Sequence, residues 1–108
     1  MNFDVYPDKD ESKDSLERKI FRTMKFYEDN VKDRDKEIRE QVFNGLKDWN
    51  ISKKTVNKVP LDTIIPSGND EYELWFNNYG KVYDDLGDHS ITVIMDKNKK
   101  IKDILIQG

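Results

Sequence analysis

The sequence predicts an α+β domain in which an N-terminal helical hairpin packs on a C-terminal antiparallel sheet of three or four strands. Three observations predict it. Apolar residues recur every three or four positions in the first half of the chain, and they alternate with polar ones in the last third. Between the two patterns lies a segment, residues 50 to 70, that holds two Pro and one Gly. The 108 residues suit one domain, 1–108, with the helical part at about 14–49, the connection at 50–70 and the sheet at about 71–107.

Residues 1 to 13 place Phe3, Val5 and Tyr6 ahead of Pro7 and a charged stretch, which fits a short strand or an ordered arm. The run Asp8, Asp10, Ser12, Asp14 has the look of a calcium loop. Lys13 stands where that loop needs its Gly, however, and Lys19 where it needs its bidentate Glu, so a solvated turn is expected. From Asp14 the period becomes helical. Asp14 and Glu17 form a capping box, and Leu16, Ile20, Met24, Tyr27 and Val31 make one apolar stripe. Ile38, Val42, Leu46 and Trp49 make a second, with Asp33 or Asp35 as its cap. The stripes are nearly in phase, so one helix of about 50 Å, dimerising as a coiled coil, competes with the hairpin. The hairpin is preferred because a small monomer cannot cover so long a stripe. Gly45 costs about 1 kcal/mol relative to Ala in a helix and points either to a close packing contact or to simple tolerance.

In the connection, Val56, Val59, Leu61, Ile64 and Ile65 are too apolar for a free linker. Part of it should lie over the core or form a short strand from Leu61 to Ile65, ending at the turn signals Pro66, Ser67, Gly68 and Asn69. Then Tyr72, Leu74 and Phe76 alternate with Glu71, Glu73, Trp75 and Asn77. Ile91, Val93 and Met95 alternate with Thr92, Ile94 and Asp96, and the run IKDILIQ closes the chain. The turn DKNKK joins the last two as a hairpin, with Asn98 expected to take the positive φ.

Absences bound the function. No Cys excludes disulfides, thiol nucleophiles and Cys-zinc sites. No run of 18 apolar residues exists to span a membrane, and the acidic N-terminus lacks the basic and apolar stretches of a signal peptide, so a cytoplasmic location is expected. The lack of Ala beside 10 Ile, 15 Lys and 9 Asn suggests an AT-rich genome. There is no GxSxG elbow, phosphate-binding GxxxxGK[ST] or GxGxxG loop, and His89 is the single His, with the adjacent Ser90 on the opposite face of any strand. The stretch DDLGDH gathers Asp84, Asp85, Asp88 and His89, a candidate divalent-metal or hydrolytic set, but it nominates no further ligands; an acidic loop before a strand is the preferred reading.

Charge is unevenly distributed along the chain. Residues 70 to 88 carry six acids against Lys81 alone, interleaved with Tyr72, Trp75, Phe76, Tyr79 and Tyr83, whereas Lys97, Lys99, Lys100 and Lys102 gather at the last turn. Tyr72 and Phe76 are assigned to the core with Leu74. Trp75, Tyr79 and Tyr83 are left as surface anchors beside Asp84, Asp85 and Asp88, which together suit the capture of a basic protein. The lysines invite a nucleic-acid reading, but no Arg occurs in residues 50 to 108, and protection of a sheet edge is the preferred role.

The stretch GDHSITVIMDKNKKIKDILIQG, residues 87 to 108, resembles the ending of small bacterial cytoplasmic proteins in which a His-Ser-Ile strand start, an Asp-containing turn and a terminal Gly close an antiparallel sheet. Such proteins resemble the immunity proteins of polymorphic or contact-dependent toxin systems. That resemblance implies a non-enzymatic inhibitor that occludes a basic toxin domain, such as a nuclease, with Trp75, Tyr79 and Tyr83 as anchors and Asp84, Asp85 and Asp88 as phosphate mimics. No cofactor, metal, nucleic acid or membrane is expected, and the protein is read as a monomer or homodimer. The alternatives are a structural or regulatory protein that dimerises through its helices, and a small metal-dependent hydrolase.

Overall fold

In the computed structural model, which describes residues 1–68 and 70–108, the chain forms β1 (Asn2–Phe3), α1 (Lys13–Asn30), α2 (Asp35–Gly45), α3 (Lys53–Lys58), β2 (Leu61–Ser67), β3 (Glu71–Phe76), β4 (Ser90–Met95) and β5 (Ile101–Gln107). The strands join in the order β1-β2-β3-β4-β5. β2 to β5 make an antiparallel meander, and β1 runs parallel to β2. The α+β class therefore holds, but the sheet has five strands and is mixed. Two segments account for the difference. The connection supplies a full strand, and the N-terminal arm adds an edge too short to show a period, held by the Asp4 N–H on the Ile64 carbonyl and by the Phe3 ring edge-on to Tyr27.

β2 runs through Pro66, which had read as a turn signal. β1 covers only Thr63 and Ile64, so Pro66 lies on a free edge where its missing N–H costs no ladder bond. Asn69, the last of the expected turn residues, lies outside the described residues.

The expected helical hairpin is corrected to two helices laid in succession on the sheet. α1 packs on β1 and β2, and α2 packs on α3 and β5. A single helix over 14–49 is also excluded: α1 ends at Asn30, and a 3-10 turn, Lys32–Arg34, precedes α2. The cap of α1 is Ser12, whose hydroxyl accepts the Ser15 N–H at 3.1 Å, rather than Asp14. α2 follows Arg34 with no side-chain cap, and Asp35 instead accepts from Arg39 at 3.0 Å.

The buried stripe of α1 is rotated from the expected one. It is centred on Thr23 and Phe26, while Met24 is 40% exposed. Phe26 lies flat on Tyr72 with ring centroids 4.0 Å apart, and the Thr23 hydroxyl donates to the Lys19 carbonyl, so a polar side chain is buried without an unmet hydrogen bond. In and just after α2, Ile38, Val42 and Leu46 are buried as expected, but Trp49, in the turn that follows, is exposed. Gly45 has the close contact its position implied: a Cβ there would stand 2.5 Å from Ile104 Cδ1.

The core lies on one side of the sheet. Ile38, Val42, Leu46, Val56 and Val59 meet Ile64, Leu74, Phe76, Ile91, Val93 and Met95. Arg39 seals its rim, with its guanidinium over the Phe76 ring and its Nη1 donating to the Val56 and Val59 carbonyls. The alternating residues form the other side, where Thr63, Trp75, Thr92 and Leu105 lie in one row across four strands, and Ile65, Glu73, Ile94 and Asp103 in the next. None of the described helices packs on that face. None of them is long and apolar enough to cross a membrane. In the final hairpin, Asp96 Oδ1 accepts from the Asn98 and Lys100 amides, and Lys99, not Asn98, takes the positive φ of 66°.

Candidate functional site

β3 and β4 are joined by residues 77 to 89, a loop organised by Asn78. This buried amide donates Nδ2 to the carbonyls of Asp88 and His89 and accepts the Gly80 N–H at 2.9 Å. Tyr83 and Gly87 exchange both backbone hydrogen bonds, which folds Asp84, Asp85 and Leu86 into a tight turn, and Leu86 anchors it in the core at 3% exposure. With Leu86 inserted, Asp85 faces α3. Its carboxylate accepts the Ser52 N–H at 2.7 Å and the Thr55 hydroxyl at 2.6 Å. Burial raises the Asp85 pKa, but the bonds from Thr55 and Ser52 more than reverse this and hold it at about 2.

The six residues singled out in the sequence thus do not form one cluster. Trp75 sits half-buried in the middle of the uncovered sheet face, its Nε1 donating to Glu73 Oε1 at 3.1 Å. Tyr79 is 65% exposed just beyond β3. Its hydroxyl faces the Asp62 carboxylate, which pushes the phenol pKa up, although Asp62 Oδ1 is buried and finds no hydrogen-bond partner of good geometry among the described residues. Tyr83 packs against the core, with Lys81 Nζ 5.9 Å from its ring centroid. Asp84 and Asp88 are exposed, and Asp85 is committed to α3.

The contrast of charge along the chain is largely folded away. Because β3 runs antiparallel to β4, its acidic start lies beside the lysine turn. Glu71 pairs with Lys102 at 2.7 Å, and Asp70 lines one hollow of about 300 Å³ with Arg22, Lys97 and Lys99. Asp84 and Asp88 remain at the opposite end of β4. Glu73 stays on the open face, a residue the charge count contained but did not single out. The signal that marks it is the strand alternation, which puts it on the same face as Trp75.

The DDLGDH set does not close around an ion: among the described residues, no three His, Cys, Asp or Glu side chains come together as a metal site requires. His89 instead lies against Gly108, where a Cβ would stand 3.5 Å from the Asp88 carbonyl oxygen and from His89 Cα. Beside Trp75 the open face has a hollow of about 110 Å³, lined by residues 75 to 77 at the end of β3, residues 90 to 92 of β4, and Gln107. The Asn77 Oδ1 accepts the Tyr79 N–H at 3.0 Å, and Gln107 Oε1 accepts the Thr92 hydroxyl at 3.0 Å.

Compared with known proteins, the chain matches no family model, and no curated protein or solved structure matches it significantly.

Proposed function

We propose that this chain is a non-catalytic protein-binding module of the immunity type, which inhibits a basic toxin domain by covering it. One observation carries the reading. The helices cover one face of the sheet, and the face they leave open has Trp75 at its centre, flanked by the buried Thr63 and Thr92, with Glu73 fixed on its indole N–H. The solvated face of an antiparallel sheet is ordinarily polar, whereas a Trp ringed by small polar residues is a common energetic centre of protein interfaces.

Charge supplies the sign of the partner. Glu71, Glu73 and Asp103 outnumber Lys102 on this face, and Lys102 is already paired with Glu71. A basic surface is therefore attracted and an acidic one repelled. Tyr79 extends the apolar surface at one end, and Asp84 and Asp88 add exposed negative charge on the adjoining loop. Tyr83 and Asp85 serve by holding that loop. The stretch with the immunity-like resemblance, residues 87 to 108, contributes β4 and β5 to the same face.

Co-expression with the products of the genes beside its own tests the reading. The expected result is that one of those products arrests bacterial growth, that the intact chain relieves the arrest, and that a Trp75→Ala, Glu73→Lys variant with unchanged circular dichroism does not. Relief that survives this double change, or no binding to any neighbouring product, overturns it.

A further inference from the structure

We infer that the hollow beside Trp75 receives the side chain of an arginine from the partner. The inference rests on the basic partner proposed above and gives its contact chemistry. A single water needs about 10–15 Å³ of space, so 110 Å³ admits a small planar group but not a whole ligand. The indole N–H is spent on Glu73, so Trp75 brings no side-chain donor to the hollow. Donation to an anion makes the ring more electron-rich, which strengthens its attraction for a cation above its face.

The remaining walls bring acceptors beside the apolar residues Phe76 and Ile91. The amide oxygens of Asn77 and Gln107 each accept one internal hydrogen bond and keep a second lone pair, and the Ser90 hydroxyl oxygen joins them. A guanidinium is planar, stacks on aromatic rings and has five donors with no acceptor, so it satisfies all three oxygens at once. A lysine ammonium is a compact, strongly hydrated charge that neither stacks nor spreads its donors. A carboxylate is disfavoured by Glu73 and Asp103 on the same face.

The test is a titration of the ¹⁵N-labelled protein with the blocked tripeptides Gly-Arg-Gly, Gly-Lys-Gly and Gly-citrulline-Gly at matched ionic strength. The two tryptophan indole signals report separately, Trp75 for the hollow and Trp49 as an exposed control on another element. Saturable movement of Trp75 alone with the arginine peptide is expected, weakened about tenfold with lysine and lost with neutral citrulline. Gln107→Leu should weaken the saturable Trp75 response to the arginine peptide. Equal responses to arginine and citrulline, movement of both indoles, or no saturable movement each overturn the inference. The two proposals fail separately: growth relief that depends on Trp75 with silent tripeptides removes the arginine and leaves the docking face. Arginine binding without any Trp75-dependent partner does the reverse.

Discussion

At the scale of single residues, the clearest case of a side chain doing something other than its composition suggests is Asp85. In DDLGDH it is one acid among three, yet its neighbour Leu86 is buried, and that insertion turns Asp85 toward the first turn of α3. There the unpaired amides and the helix dipole favour a negative charge. Asp85→Asn should cost about 1–2 kcal/mol in urea unfolding, as loss of charged hydrogen bonds does, while Asp84→Asn and Asp88→Asn stay within about 0.5 kcal/mol. Equal effects at all three positions would refute the capping role. Glu11 shares its chemistry: the Lys19 ammonium, the Ser15 hydroxyl and the Asp8 N–H hold its carboxyl at about 2. Both acids have folded pKa values below their unfolded ones, so the folded state gives up stability as pH falls from about 4.5 toward 2. Between pH 5 and 2.5 the urea midpoint of the wild type should drop clearly more than that of a Glu11→Gln, Asp85→Asn variant. Parallel curves would show that these groups do not drive the acid transition.

Among the elements, periodicity alone made β3, β4 and β5 legible, because an antiparallel sheet with one covered face writes a strict alternation into its strands. β2 was read only as far as Ile65, since a proline marks a turn unless the strand edge is known to be free, and that edge is set by an arm 60 residues away. The break between α1 and α2 was legible where one apolar stripe ends and the next begins, with Asp33 or Asp35 offered as a cap. The rotation of α1 was not, because it depends on the stacking partner of Phe26 and on a buried threonine bonding back to its own helix. β5 is the long exposed edge, and Asp103 guards it: its carboxylate accepts the N–H of Ile104, a donor that faces away from β4. Asp103→Val should free that donor and produce a concentration-dependent mass in light scattering, where the wild type gives one mass. A variant that scatters as the wild type does would show the edge is protected by other means. The approach of α2 to the same strand sets a second prediction. Gly45→Ala gains about 1 kcal/mol of helix propensity and loses it to the clash with Ile104 Cδ1. In an Ile104→Val background, which deletes that methyl, the same alanine should raise the urea midpoint, and a double-mutant cycle without coupling would rule the contact out.

Over the whole molecule, what the sequence could not show is which charges become neighbours. Six acids in one stretch and four lysines in another looked like two poles, but the antiparallel pairing of β3 with β4 sets Asp70 and Glu71 beside the lysines. β4 spans about 20 Å, more than twice the Debye length of about 8 Å at physiological salt, so Asp84 and Asp88 act independently of that end. What survives as a whole-molecule asymmetry is apolar rather than electrostatic: one face of the sheet is packed under the helices and the other has none of the described helices on it, and β3 carries both in alternate residues. Leu74 and Phe76 are 0% and 1% exposed under the helices, whereas Trp75 between them is half-buried on the open side. Phe76→Ala should therefore cost about 3–5 kcal/mol, the usual loss for an aromatic removed from a packed core. Trp75→Ala removes a larger side chain from the same strand, yet should cost only about 1–2 kcal/mol, because part of the indole is already in water and none of the described helices packs on its face. Urea unfolding of the two variants decides what kind of face this is. If Trp75→Ala destabilises as much as Phe76→Ala, the tryptophan is part of the packing and its use in docking fails. A small loss with an unchanged slope in denaturant would mean that a large aromatic side chain is kept at the surface without a structural return, as a binding centre requires.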